Sequence, residues 1–223
     1  MLKTLLELLR KDDLLDQAIE ETNLMFQKAQ QIYQEAISVL KENRQPEFEI
    51  YKVDQEINSL EKKIRRKILE NISFNPRKDI AASLVLTSII IDIERIGDYS
   101  KNIFELTQLK LENKKLNIDE KLVKDADLIL EKFTRIGKVM TSGDKEEAKL
   151  LIEELNPIKK CFDEFIIQSV RQCQNAGCDM IVSVLFSRYL KRVSGHLSNI
   201  VSSITNPFDK IGFYHKNYKE EID

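Results

Sequence analysis

A helical hydrophobic pattern runs through most of this chain and is interrupted only at a few short polar segments. The clearest stripe runs from Ile50 to Ile68, where apolar residues recur in steps of 3, 4, 3, 4 and 4. Helix-breaking residues are rare, with 6 Gly and 4 Pro among 223 residues. The pattern therefore predicts an all-α protein of long helices and argues against a turn-rich β fold.

The polar interruptions divide the chain into two sets of three helices joined by the linker "ENKKLNIDEK". We predict helices over residues 14–41, 50–71, 77–110, 119–140, 145–173 and 180–205. Asn75 is the expected cap of the third helix, ahead of Pro76 in the first turn. Pro157 falls inside the fifth helix and predicts a bend there.

Four parts of the chain follow from this division. We expect residues 1–12 to form a short leucine-rich N-terminal helix that docks onto the bundle or contacts a partner; the alternative is that this stretch is part of the next helix. Residues 13–112 form a first three-helix bundle and residues 113–206 a second one. Residues 207–223 form a charged and aromatic C-terminal tail, which we expect to be loosely held.

Composition excludes several classes of protein. The net charge is −2, from 35 basic and 37 acidic residues, so the chain has no overall basic field for nucleic acid. The longest uncharged run, Ile80–Ile91, has 12 residues, short of the ~20 that cross a bilayer. We find no signal peptide, and 3 Cys without metal-ligand spacing are expected to be free thiols. These features predict a cytoplasmic protein that contacts membrane proteins only peripherally.

The two halves contain an internal repeat. "DIERIGDYSKNI" (92–103) aligns with "YLKRVSGHLSNI" (189–200) at a constant offset of 97 residues. Arg95 matches Arg192, and Asn102 matches Asn199. The repeat predicts two bundles related by pseudo-symmetry. Two differences between the copies matter most: Lys191 stands in place of Glu94, and Gly195 stands in place of Asp98.

The first copy of the repeat places two carboxylates on one helix face. Glu94 and Asp98 are spaced i, i+4 and lie nearly opposite the apolar stripe. Their like charges repel each other, and a bound cation would relieve this repulsion. Asp54 and Glu61, with Asn58 between them, would meet this face if the second and third helices pack antiparallel. Oxygen ligands favour hard cations such as Mg²⁺, Mn²⁺, Fe or Ca²⁺. The alternative from the residues alone is a solvated acidic face without a metal.

Other residues in the repeat have simpler interpretations. Gly97, in a helix interior, suggests close approach of another helix. Arg95 is interpreted as a structural salt bridge, to Asp92 or to an acid on a neighbouring helix, in preference to an anion ligand. His196 has no acid one helical turn away and is expected to be a polar surface residue. We find no nucleophile elbow, phosphate-binding glycine loop or HExxH motif, so the protein is not expected to be an enzyme.

Several of these segments together resemble the PhoU family. "DIERIGDYSKNI" resembles the family signature, "DQEINSLEKKI" (54–64) its second-helix motif, and "NPRKDI" (75–80) its entry to the third helix. The resemblance spans roughly residues 14–205. It implies two three-helix bundles, often dimeric, and a regulator of phosphate uptake that acts with a phosphate transporter and a sensor histidine kinase. It further suggests that the regulation is inhibitory.

The resemblance also implies metal binding through acidic motifs on the bundle surfaces. Carried over by position, the metal ligands would be Glu94, Asp98, Asp54 and Glu61, with Asn58 where the family has an acid. The ion would be Fe, Mn, Mg or Zn. In the second repeat Lys191 and Gly195 replace the acidic pair, so we expect no metal cluster of the family type there.

Two alternative functions remain open from the sequence. Some members of the PhoU family accompany a sodium–phosphate cotransporter, so the protein could be an accessory subunit of such a carrier. A helical protein whose function is metal binding itself is the other alternative. Both differ from an adaptor between a phosphate transporter and phosphate-responsive signalling, which is the main prediction.

Overall fold

In a computed structural model of the chain, the residues described are 14–74, 79–109, 117–172, 174 and 177–212. Within these ranges the chain is helical and has no β-strand. The elements are α1 (Leu14–Glu42), α2 (Ile50–Phe74), α3 (Ile80–Thr107), α4 (Glu120–Ser142), α5 (Lys145–Arg171), α6 (Cys178–Thr205) and a short 3-10 turn (Phe208–Lys210). The predicted all-α fold is confirmed, whereas the predicted helix in residues 1–12 lies outside the described residues.

The predicted start of the third helix at Arg77 is wrong. α3 begins at Ile80, and its N-cap is Asp79, whose backbone is left-handed at φ 62° and whose side chain makes no capping hydrogen bond. The expected cap, Asn75, lies outside the described residues. An Asp tolerates the left-handed conformation better than most residues. Asp79 therefore precedes the helix as its N-cap residue without the side-chain hydrogen bond by which caps are usually recognised.

The turn between α4 and α5 follows capping chemistry. α4 ends at Gly143, a left-handed residue at φ 67° whose N–H bonds the carbonyl of Val139. The next residue, Asp144, starts α5, because its carboxylate accepts the N–H groups of Glu146 and Glu147. A Gly after one helix and an Asp before the next form a tight helical hairpin.

The helices pack as two sets of three that also contact each other. α1, α2 and α3 pack together, as do α4, α5 and α6, while α3 packs on α6 and α1 on α4. At the α1–α4 contact the fully buried Tyr33 donates a hydrogen bond to the carbonyl of Ala126 at 3.0 Å. Its ring lies 5.1 Å from that of Phe133, measured between centroids. The two sets therefore share buried contacts.

The first residues of the predicted loose tail are attached to α6. The N–H of Gly212 donates to Ser202 Oγ at 2.7 Å, and the amide of Asn206 donates to the carbonyl of Lys210 at 3.0 Å. Residues beyond 212 lie outside the described part. None of the described helices combines the length and apolar character that a membrane span needs.

Candidate functional site

The predicted acidic residues come together along the groove between α2 and α3. On α3, Glu94 and Asp98 are partly exposed, with 18% and 31% of their side chains accessible. On α2, Asp54 is 11% exposed. Glu61 lies near enough to Glu94 to influence its pKa. The antiparallel packing of α2 and α3 thus places four carboxylates on one surface, which we call the acidic groove.

A lysine that the sequence analysis did not single out lies among these acids. Lys101 Nζ donates to Asp54 Oδ2 at 2.9 Å and to Asp98 Oδ1 at 3.1 Å. Burial opposes its charge, but the hydrogen bonds to both carboxylates outweigh burial and raise the pKa of Lys101. Lys101 follows Asp98 by three residues and Glu94 by seven, so helical spacing was the signal that could have identified it.

Glu94 remains without full charge compensation. Burial raises the pKa of the Glu94 carboxyl, and the neighbouring Asp98 and Glu61 raise it further, against the opposing effect of Arg95. Arg95 lies 3.4 Å from Glu94 and 3.4 Å from Asp98, and its side chain is 54% exposed. Glu61 is paired instead with Arg65 at 2.7 Å. One end of the acidic groove therefore retains excess negative charge.

A cation already lies in the acidic groove, the ammonium group of Lys101. The ammonium group bridges Asp54 on α2 and Asp98 on α3. Across the described parts of the chain, no three or more acidic, His or Cys side chains converge closely enough to hold a metal ion. Metal binding by Glu94, Asp98, Asp54 and Glu61 stays a prediction.

Gly97 permits the close approach of α2 to α3 that its position suggested. A Cβ at this residue would lie 3.1 Å from Ile57 Cδ1 and 4.0 Å from Asp54 Oδ1. Ile57 is buried in the core of the first set of helices. The absence of a side chain at Gly97 thus brings Asp54 within reach of Lys101 on α3.

The equivalent place in the second set of helices has the opposite charge. Lys191, which replaces Glu94, forms an ion pair with Asp163 on α5. Gly195, which replaces Asp98, has no atom within 4 Å of the position its Cβ would take. Lys159 on α5 donates to Ser198 Oγ at 3.2 Å. The second repeat therefore presents ammonium groups and open space where the first presents carboxylates.

The interpretation of His196 is wrong, and that of Arg95 is right except for its partners. His196 is not an isolated surface residue, because its Nδ1 lies 2.7 Å from Asp92 Oδ1 and its side chain is only 19% exposed. Asn199 also donates to Asp92 Oδ1, at 3.0 Å. Arg95 forms salt bridges, as expected, but its partners are Glu94 and Asp98 on its own helix and not Asp92 or an acid on a neighbouring helix. The partner of His196 comes from the other half of the chain, so spacing along α6 held no signal for it.

Two of the three cysteines lie in the described residues. Cys161 and Cys178 are both free thiols. This confirms the expectation for those two residues. The third, Cys173, lies outside the described part.

Taken together, the architecture defines a class: paired three-helix repeats whose third helices pack against each other. The sequence model of the PhoU domain matches residues 22–107. A curated relative, the phosphate-specific transport system accessory protein PhoU homolog 1 of Thermotoga maritima, is 34% identical over 90 residues. That alignment covers 39% of this chain and 38% of the relative, so well under two thirds of the relative is matched.

Solved structures agree in fold over a longer span. The phosphate transport system regulatory protein PhoU from Streptococcus pneumoniae superimposes with a TM-score of 0.72 at 16% identity, covering 87% of this chain and 95% of that one. PhoU from Pseudomonas aeruginosa gives a TM-score of 0.63 at 16% identity, covering 89% and 95%. Residues 22–107 therefore match the PhoU domain, and the chain shares its fold with solved PhoU structures over most of its length.

Proposed function

We propose that this protein is an accessory regulator of a phosphate transport system, acting in the cytoplasm as an adaptor between the transporter and phosphate-responsive signalling. The observation that carries the proposal is the match of residues 22–107 to the PhoU domain. It is supported by a fold shared over 87% of the chain with a phosphate transport regulatory protein. The partners we propose are a phosphate transporter, a sensor histidine kinase and a second copy of the chain.

The described surfaces suit a binding role better than a catalytic one. The acidic groove consists of carboxylates held by Lys101 and Arg95, and no His or Cys lies in it. Nucleophilic catalysis needs a nucleophile and a base within hydrogen-bond reach of each other. We therefore propose that the protein acts through contacts with other proteins and not as an enzyme.

Deletion of the gene tests this role. We expect altered expression of a phosphate-responsive reporter in cells grown with ample phosphate, with restoration by the wild-type gene. Affinity purification of the full chain from membranes solubilised in detergent should recover a phosphate transporter. Recovery of a sodium–phosphate cotransporter alone would support the accessory-subunit alternative. Unchanged expression together with no transporter recovered would reject the regulatory role.

A second candidate function is metal binding at the acidic groove. Supporting it are the excess negative charge around Glu94 and the closeness of Asp98, Asp54 and Glu61. The proposed ions are Fe, Mn, Mg or Zn, which would reinforce the packing of α2 on α3. Metal analysis of the purified full chain tests this, with Glu94→Ala and Asp98→Ala expected to abolish any stoichiometric metal. Metal that survives both substitutions lies elsewhere.

A further inference from the structure

A cavity of about 280 Å³ opens on the second set of helices, in the place that corresponds to the acidic groove. Its walls come from Lys159 on α5 and from one face of α6, including Arg188, Lys191, Arg192 and Gly195. A water molecule takes up about 30 Å³ in the liquid. The cavity thus has room for a tetrahedral oxyanion together with several waters. We call it the basic pocket.

Positive charge in the basic pocket exceeds negative charge. Two carboxylates contact its lining residues: Asp163 pairs with Lys191, and Asp92 contacts His196 at the rim. Arg188 and Arg192 are exposed and form no ion pair with any residue that the structure describes. The two guanidinium groups are therefore available to a ligand.

Lys159 adds a positive charge that no carboxylate in the described residues pairs with. Its only hydrogen bond in the described structure is to the neutral hydroxyl of Ser198. Burial, followed by the nearby charge of Lys191, lowers the pKa of Lys159. An anion bound in the basic pocket would favour the charged form of Lys159, because an opposite charge nearby stabilises an ammonium group.

We propose that the basic pocket binds a phosphate-type oxyanion, either inorganic phosphate or the phosphate group of a small molecule. Guanidinium groups match the geometry of phosphate oxygens with paired N–H donors, and lysine contributes point charge. Gly195 leaves the floor of the pocket open, because no atom lies within 4 Å of its Cβ position. Charge and shape therefore point to the same class of ligand.

The basic pocket lies at the position in the second repeat that the acidic groove occupies in the first. Arg188, Lys191 and Gly195 align with Ile91, Glu94 and Asp98 at the repeat offset of 97 residues. One copy of the repeat thus presents acids to a cation, and the other presents bases to an anion. The assignment stands on charge and geometry and does not depend on the regulatory role proposed above.

Calorimetric titration of the full chain tests the proposal, with orthophosphate in one arm and ATP in the other, at low ionic strength. We expect saturable binding, weakened by about tenfold in Arg192→Gln, the loss typical of one charge-assisted hydrogen bond. Arg188→Gln should weaken binding similarly. Both residues are exposed, so neither substitution should affect folding, which thermal melting checks.

Lys160→Gln is the matched control, because Lys160 adjoins Lys159 on α5 and is 80% exposed, with a single ion contact to Glu164 at 3.9 Å. It removes the same charge and should leave binding unchanged within twofold. Binding of orthophosphate identifies the free ion as the ligand, and binding of ATP alone identifies a phosphorylated small molecule. No binding in either arm, or equal weakening by Arg192→Gln and Lys160→Gln, would overturn the proposal without touching the deletion phenotype.

Discussion

The rings of Tyr99 and His196 stack with centroids 5.7 Å apart and an interplanar angle of 20°. His196 follows Tyr99 by 97 residues, the offset of the internal repeat. Residues near them are related by the same offset. Asp92 contacts His196, and Tyr189, which aligns with Asp92 in the repeat, contacts Tyr99. The two repeats therefore meet through equivalent residues at the crossing of α3 and α6.

The contact between Asp92 and α6 should contribute measurably to stability. Asp92→Ala removes the acceptor of bonds from His196 and Asn199, and we expect the free energy of unfolding to fall by about 2 kcal/mol, the typical range for hydrogen bonds to a buried charge. Chemical denaturation measures the change. Asp127→Ala is the control, because its ion pair with Lys41 is exposed and should matter little. Equal losses in both variants would contradict this account of the α3–α6 crossing.

Lys101 should compete with metal ions for the acidic groove. Lys101→Met removes the ammonium between Asp54 and Asp98, so we expect lower thermal stability in the presence of a chelator. The same variant should gain affinity for Mn²⁺ or Mg²⁺ relative to the wild type, because Asp54 loses its cation and Asp98 keeps only the exposed Arg95. Thermal melting with and without added metal measures both effects.

Lys62→Met controls for the loss of a lysine, because Lys62 is an exposed residue of α2. It should behave as the wild type in both conditions. If Lys101→Met showed no gain in metal affinity, metal binding in the acidic groove would lose its support.

Stability should fall in acid because of Glu35. Arg44 donates to both carboxylate oxygens, at 2.7 and 3.0 Å, and this lowers the pKa of Glu35 despite its burial. A carboxyl with a lowered folded-state pKa adds stability above its unfolded pKa and loses it as pH falls. We expect the melting temperature of Glu35→Gln to lie below that of the wild type at neutral pH.

The difference in melting temperature between Glu35→Gln and the wild type should shrink as pH falls below the ordinary pKa of a glutamate. The wild-type carboxyl is then protonated and, like the Gln side chain, carries no charge. Melting curves recorded from neutral to acidic pH check it. Glu146→Gln serves as the comparison, since that side chain is 81% exposed. A constant gap between Glu35→Gln and wild type at every pH would show that the charge of Glu35 is not responsible.

Side-chain size at Gly97 should be limited by α2. Gly97→Ala gains about 1 kcal/mol of helix propensity but places a methyl 3.1 Å from Ile57 Cδ1, so we expect little net change. Gly97→Leu overfills the contact and should cost about 1–3 kcal/mol. Gly195→Ala, with nothing within 4 Å, should be stabilising. Denaturant titrations compare the three, and a tolerated Leu at residue 97 would contradict the close approach of α2.

Helical periodicity and the spacing of breakers predicted the six helices well, because both follow from backbone physics within one element. The same reasoning placed Glu94, Asp98, Asp54 and Glu61 along one groove. It did not predict the contact of His196 with Asp92, because the two residues are 104 apart in sequence and lie in different halves. Nor did it predict Lys101 among the acids, since a lysine on a helix ordinarily points to solvent.

The start of α3 shows a second limit of prediction from the sequence. Asn75 and Pro76 form a familiar capping pattern, yet α3 begins after Asp79, whose side chain forms no cap. Boundaries depend on one or two backbone dihedrals, which residue type constrains weakly. The interior of a helix depends on many residues at once, and it is therefore more predictable.

Phosphate uptake in a deletion strain tests the central claim, a regulatory role in phosphate transport, most directly. Initial uptake of radiolabelled phosphate would be measured in phosphate-replete cells, with and without the wild-type gene restored. The account predicts uptake above the wild-type level in the deletion strain and a return to that level on restoration. Identical uptake in all three strains would contradict it.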